Sequence, residues 1–225
     1  MGGGENMNSI LQDVARRIFE KGAFLFGAFR LKLHEKNPNA PLSPFYLNIR
    51  NKNNPKPGPL DDEDYDLIAK GLLEVTQDSG VEFDAIAPIP RAGDPIAEAI
   101  LRVVGADSKF RIIPLSKEED GGGRRIVPKA GFEYKQGERI LLIDDLVTKA
   151  DTKIEAIKAV ESSGCKVVGL VVLVDRQQGG REQIEAAGYK LFVGFTIRTL
   201  LDFYVANNMV DKEKYEEAIK YITNV

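Results

Sequence analysis

Ile140 to Ile143 is a short apolar run that ends on two adjacent carboxylates, Asp144 and Asp145, and a helical pattern resumes about eight residues later. An uninterrupted apolar run of this length is a strand buried on both faces. With the loop and helix that follow, it is one βα unit of a parallel sheet. Ligands of open α/β sheets bind outside the carboxyl ends of the strands, which puts Asp144, Asp145 and the loop Thr148 to Thr152 where a ligand is expected. The backbone N–H groups opening the next helix suit a phosphate there. Two acids alone could equally be a solvated loop cluster.

The chain of 225 residues is long enough for one large domain, or for one domain with a small appendage. With 31 basic and 34 acidic residues its net charge is −3, so no general field for nucleic acid or an anionic membrane exists and phosphate binding must be local. Its one cysteine, Cys165, lies in an apolar stretch and reads as a small buried hydrophobe in a reducing, cytoplasmic compartment. No apolar run approaches the ~20 residues of a membrane span, and Met1 to Asn6, with three glycines, reads as a flexible tail.

In chain order, Ser9 is placed to cap a helix over Ile10–Lys21, and strands are expected at Phe24–Leu33 and Phe45–Ile49. The only histidine, His34, stands in a polar loop and reads as solvated, which excludes a histidine-based metal site or serine triad. Asp61, Asp62, Glu63 and Asp64 crowd the start of the next helix and read as capping. Asp84–Pro90 is a strand running into Arg91-Ala92-Gly93-Asp94 and a helix over Ile96–Val104, again a phosphate-suited turn. Lys109–Leu115 is a strand, and Ser116–Tyr134 reads as a long polar loop. Thr152 and Glu155 fit a capping box, and around the loop Lys149 and Lys153 would attract a phosphate that Asp151 and Glu155 would repel. Val167–Val174 is a second buried strand, ending on Asp175-Arg176-Gln177-Gln178-Gly179-Gly180. A helix, a strand and two helices complete the chain.

The segment Ile140–Thr152 resembles the phosphoribosyl pyrophosphate (PRPP) signature of type I phosphoribosyltransferases. Phe29–Lys32 with Ser43–Asn48, and Asp175–Gly180, narrow the resemblance to orotate phosphoribosyltransferase. It implies an α/β fold, a twisted, mainly parallel sheet flanked by helices with a small hood subdomain. Its division would be a tail to residue 9, an N-terminal helix and hood over 10–59, a core over 60–207 and a C-terminal helix over 208–225.

By the same resemblance Asp144 and Asp145 hold the ribose of PRPP, and Thr148, Lys149, Ala150, Asp151 and Thr152 wrap its 5′-phosphate. Arg91 sits in the pyrophosphate turn, and Lys32 and Lys117 balance the charge of the leaving pyrophosphate. Phe45 and Tyr46 pack against orotate, and Arg176 grips it through a planar fork suited to a carboxylate. The chain departs from the family where Ala150 and Asp151 replace the usual glycine, where the ten residues His34–Ser43 lie between Lys32 and Pro44, and where Glu119, Asp120 and glycines stand in the loop that normally supplies further lysine and histidine to the partner subunit.

The activity implied is magnesium-dependent transfer of phosphoribosyl from PRPP to orotate by a homodimer, with Mg2+ carried mainly by PRPP. A non-catalytic paralogue that binds PRPP or a nucleotide and regulates a partner is the alternative from another class. Transfer to a different base is a third.

Overall fold

The computed structural model describes residues 7–31, 33–53, 56–105, 110–120 and 123–224. The tail Met1–Asn6, Lys32, Lys109 and two of the loop glycines, Gly121 and Gly122, therefore lie outside the described residues. The chain divides into two compact units, one of residues 1–64 with 197–225 and one of residues 65–196.

The first unit starts with α1 (Ser9–Glu20), capped by Asn8, whose Oδ1 accepts the Leu11 N–H at 2.7 Å. The cap falls one residue before the expected Ser9, because Asn8 is the last residue with extended backbone and its side chain reaches the free N–H groups. β1 (Phe24–Phe29) pairs antiparallel with β2 (Ser43–Leu47), and a one-turn helix, α2 (Leu33–Lys36), lies between them in sequence. The strand expected to reach Leu33 thus stops at Phe29. His34 is not solvated: it is 6% exposed, its Nδ1 accepts the Leu31 N–H at 2.9 Å, and its Nε2 lies 3.2 Å from the Ala40 carbonyl. A polar loop can bury an imidazole when its own backbone supplies both partners. Asp61 and Asp64 exchange reciprocal bonds, each carboxylate accepting the other's N–H, which closes a capping box on the acid-rich helix start. Arg17 and Lys21 of α1 pair with Asp64.

The second unit follows. α3 (Asp62–Asp78) leads to β3 (Ala85–Pro88), α4 (Asp94–Val104) and the two-residue β4 (Arg111–Ile112). The stretch expected to be a polar loop is a hairpin, β5 (Leu115–Asp120) against β6 (Gly123–Pro128), in unbroken antiparallel register. Each strand has one buried apolar anchor, Leu115 on β5 and Ile126 on β6, among exposed or half-buried residues, a signal too sparse to stand out in the sequence. β7 (Arg139–Val147) does not stop at the acids but runs through them, paired with β8 (Lys166–Asp175) as far as Val147. Between them lies α5 (Asp151–Ser162), and after β8 come α6 (Gly180–Ala186) and β9 (Leu191–Thr196). All neighbours in the five-stranded sheet are parallel, in the order β4-β3-β7-β8-β9.

Both faces of that sheet are covered, which is why its strands are continuously apolar. Ile140 and Leu142 share a core with Ile157 and Val160 of α5. Leu141 and Ile143 point the other way and line one small apolar cavity with Leu72 and Leu73 of α3 and Ile100 of α4. Cys165 is buried, as its apolar setting requires. The chain then returns to the first unit with α7 (Ile197–Ala206) and α8 (Lys212–Asn224). There Leu200, Leu201 and Tyr204 are core, and the Tyr204 hydroxyl donates to the Ala15 carbonyl at 3.0 Å. Among the described residues no helix is long and apolar enough to cross a membrane.

Candidate active site

In the sheet order β4-β3-β7-β8-β9, the chain proceeds outward from β3 to β4 on one side and from β7 to β9 on the other. The direction reverses between β3 and β7, and the crevice outside the carboxyl ends of that pair is where such sheets bind ligands. Both stretches with phosphate-suited sequence, the Pro90–Gly93 turn and the loop after Asp145, leave the sheet at that reversal.

The turn after β3 is held against β7. The Ile89 N–H donates to the Ile143 carbonyl at 2.8 Å, and the Gly93 N–H to the Ile89 carbonyl at 3.0 Å. A Cβ on Gly93 would collide with the Ile143 carbonyl and the Ile89 nitrogen, so glycine is required for closeness, since its φ of −75° is ordinary. The Pro90–Arg91 peptide bond is cis. Arg91 is exposed at the rim. Asp94 opens α4 and is half-buried; burial first, then the charges of Glu98 and Asp144, push its carboxyl up to about 6.

The acid pair sits within β7. Asp144 is 4% exposed, its Oδ2 is 2.7 Å from Nζ of Lys153, and its Oδ1 accepts the Asp145 N–H at 2.9 Å. Lys153, in the first turn of α5, is 7% exposed. A lysine so buried needs its partner: removing one member of such a pair costs about 3–5 kcal/mol. Asp145 retains partial exposure, and its Oδ1 accepts the Leu146 N–H at 2.7 Å. Burial, and then the neighbouring Asp144 charge, push its carboxyl up to about 7.

The loop Thr148–Ala150 is clamped by the segment after β8. The Arg176 N–H donates to the Val147 carbonyl at 3.0 Å, and Gln183 Oε1 of α6 accepts the Ala150 N–H at 2.8 Å. A Cβ on Gly180 would meet Val147 Cγ2 and the Thr148 carbonyl, so glycine lets α6 lie directly on the loop. Arg176 is buried, and its neighbour Asp175 is fixed by Arg181 Nε at 3.0 Å and by the Gln177 N–H at 2.8 Å.

Ala150 departs from the usual glycine without narrowing the loop: its φ of −89° suits any residue, and its methyl group is buried in the core. No side chain caps α5, contrary to the expected Thr152–Glu155 box, because Glu155 turns away to accept the Ile126 N–H of β6 at 2.8 Å. The four charges around this loop therefore divide. Lys153 and Glu155 are consumed internally, while Lys149 and Asp151 remain exposed.

That bond to Glu155, with Ile126 in the core, fixes the hairpin on α5. Lys117, on β5, stands within electrostatic reach of Asp144, Asp94 and Glu155 and of the like charge on Lys153; desolvation sets its ammonium below the usual lysine range.

Comparison with known proteins bears on this arrangement. The phosphoribosyl transferase domain matches residues 62–204, more than half of the chain. Over 182 residues the chain is 31% identical to the orotate phosphoribosyltransferase of Pyrococcus furiosus, covering 80% of this chain and 90% of that protein. The chain belongs to the orotate phosphoribosyltransferase family. Among solved structures, Leishmania donovani UMP synthase superposes with a TM-score of 0.74 at 27% identity, over 97% of this chain and 43% of that one. Mycobacterium tuberculosis orotate phosphoribosyltransferase in complex with PRPP shares the fold, with a TM-score of 0.59 at 21% identity over 85% of this chain and 99% of that one.

For a phosphoribosyltransferase the second unit thus carries Asp144, Asp145, Thr148–Thr152, Arg91, Lys117 and Arg176 on adjoining strand ends, loops and hairpin. Phe45 and Tyr46 belong to the first unit. There Phe45 is 1% exposed, with its ring stacked on Phe24 at 5.5 Å and edge-on to Tyr221, and the half-buried Tyr46 accepts a hydrogen bond from Arg50 at 3.0 Å. Sequence reasoning did not single out Gln183 or Arg181, and it took Lys153 for an attractor of phosphate. The one available signal was that Lys153 and Gln183 fall in the first turns of the helices that follow β7 and β8, where side chains reach back over strand ends.

Proposed function

We propose that this phosphoribosyltransferase moves the 5-phosphoribosyl group from PRPP to orotate, giving orotidine 5′-phosphate and pyrophosphate. The observation that carries the proposal is the convergence of the acid pair, the open N-terminus of α5, the Pro90–Gly93 turn and the Arg176 segment on the carboxyl ends of β3, β7 and β8. At the reacting carbon the bond to pyrophosphate stretches and the sugar becomes cation-like, so catalysis is positional and electrostatic. The carboxylates of β7 take the ribose hydroxyls. The free N–H groups of α5, with Thr148 and Lys149, take the 5′-phosphate. Arg91 and Lys117 receive the charge that develops on pyrophosphate, with Lys32 added on the strength of the resemblance alone. Arg176 orients the orotate carboxylate, and Phe45 and Tyr46 are assigned to orotate on the strength of the resemblance alone.

Magnesium fits this site as a passenger on PRPP. Among the described residues no three His, Cys, Asp or Glu side chains gather to hold a metal, and Asp144 is engaged by Lys153. Carried on the diphosphate, the ion neutralises charge on the leaving group. A cytoplasmic homodimer is the setting we propose.

The test is loss of orotate absorbance with purified protein, PRPP and Mg2+. Turnover that falls by at least ~10²-fold in Arg176→Ala and in Asp145→Asn supports the assignment. No turnover, with PRPP or a nucleotide still bound, would point to the regulatory paralogue or another base.

A further inference from the structure

The turn assigned to pyrophosphate carries an acid that anion binding does not call for. Gly93 packs so closely on β7 that a Cβ there would collide with the Ile143 carbonyl, and Pro88 of β3 stands in register with Ile143. The residue that follows on each side of this contact is an aspartate, Asp94 at the start of α4 and Asp144 on β7. The two carboxyls therefore share one crevice at the carboxyl ends of β3 and β7. Glu98, one turn further along α4, and Asp144 repel the charge of Asp94, while Lys117 of β5 and Arg91 of the turn attract it.

An acid in the first turn of a helix ordinarily serves the helix dipole from a solvated position. Asp94 is instead half-buried, within the fold of the turn itself. There its carboxylate takes the positive end of α4, where Pro95 has already removed one N–H, and leaves less of it for a ligand. Resting on the reading that this turn takes the leaving group, we infer that Asp94 weakens the hold of the site on free pyrophosphate and so promotes its release. When the bond from the ribosyl carbon to the diphosphate oxygen breaks, both electrons stay on that oxygen. Pyrophosphate thus carries one more negative charge than the same diphosphate had within PRPP, and Asp94 opposes the product more than the substrate. PRPP is held in addition through its ribose and 5′-phosphate, on β7 and the start of α5, where free pyrophosphate has no anchor.

The experiment compares the full chain with its Asp94→Asn and Asp94→Glu variants. It measures, with Mg2+ present, the inhibition constant of pyrophosphate against PRPP and KM for PRPP and for orotate. Asp94→Asn, isosteric and uncharged, is expected to lower the inhibition constant about fivefold or more at pH 7.5, to lower KM for PRPP less than about threefold, and to leave KM for orotate unchanged. Asp94→Glu keeps the charge and is expected to stay within about threefold of the unaltered protein. Pyrophosphate titrates too, but its own protonation cancels in the ratio of the two proteins' inhibition constants. That ratio is expected to shrink toward one as pH falls from 7.5 to 5, because the Asp94 carboxyl, raised to about 6 among these neighbours, becomes neutral there. A merely structural role would give a ratio that does not move with pH.

An inhibition constant unchanged in Asp94→Asn at pH 7.5 would overturn the inference. So would one that rises, since Asp94 would then be holding the diphosphate through its magnesium. Should Asp94→Asn fail to fold, Asp94→Ala carries the same comparison. If the unaltered protein does not consume orotate, calorimetric dissociation constants of magnesium pyrophosphate replace the inhibition constants, and tighter binding by Asp94→Asn upholds the inference while the choice of orotate fails. Orotate turnover without that tightening upholds the transferase and removes the inference, as does an absence of pyrophosphate binding in both proteins.

Discussion

Asp145 connects burial to chemistry most directly. Its carboxyl, pushed up to about 7 by burial and by Asp144, is largely protonated below neutrality, and only the ionised form accepts two ribose hydroxyls. kcat/KM for PRPP, which reports the free enzyme, should therefore rise with pH through about 7, and Asp145→Asn should abolish that limb along with most of the activity. A profile flat from pH 6 to 8 in the unaltered protein would contradict the assignment. Gly93 gives a second prediction at this scale. Since a Cβ there collides with backbone atoms of Ile143 and Ile89, which cannot swing aside, Gly93→Ala should cost at least ~2 kcal/mol of stability in denaturant melts. Gly131, whose φ is +74° with open space around it, is a control for the opposite case: an added methyl there meets strain and no neighbour.

Among the elements, the hairpin β5–β6 and the helix α6 are what complete the second unit. The hairpin is tied to α5 by the Ile126 N–H and Glu155, residues separated by 29 positions. Replacing Glu155 with Ala leaves that N–H without its acceptor, at a cost of about 1–3 kcal/mol, and should raise hydrogen exchange at Ile126 well before it lowers the global melting temperature. Unchanged exchange would mean the hairpin is held by its apolar side alone. α6 acts on the loop through Gln183. Gln183→Ala frees the Ala150 N–H and should raise KM for PRPP about three- to tenfold with kcat little altered, as expected when a loop loses order before binding.

Across the whole molecule, acids of opposite tendency make stability depend on pH in a definite sense. Asp61, held near 2 by Lys21, and Asp84, held near 2 by Arg139, stabilise fully above about pH 4 and are lost only in acid. Asp94 and Asp145, raised to about 6 and about 7, contribute in the reverse direction: their protonated forms favour the folded state, and that contribution disappears as pH rises from about 4 through 7. Melting temperature at fixed ionic strength should thus fall between pH 5 and 7.5, and Asp94→Asn should flatten the fall. A melting temperature that rises over this interval would show that neither group is raised.

Much of this architecture was legible in the chain itself. Apolar runs at Ile140–Ile143 and Val167–Val174 report buried parallel strands because both faces of such strands must be covered, and that requirement is written in consecutive residues. The Asp61–Asp64 cap, the Pro90–Gly93 turn and the resemblance at Asp144–Thr152 and Asp175–Gly180 are likewise local patterns, and all but the cap fall at the carboxyl end of the parallel sheet. What tertiary structure decided are relations between distant residues. The reversal of strand order between β3 and β7 depends on which strand each one meets, and no window of sequence records it. Lys153 reads as an attractor of phosphate until α5 is laid across β7. Glu155 reads as a cap until β6 offers a better donor, and Ala150 reads as a lost glycine until its methyl is seen to point inward. His34 became a buried residue only when its loop folded back on it. For Glu155 two partners were on offer, the near Thr152 in sequence and the far Ile126 in space. Packing chose the far one because burial makes an unpaired group costly and a paired one rigid.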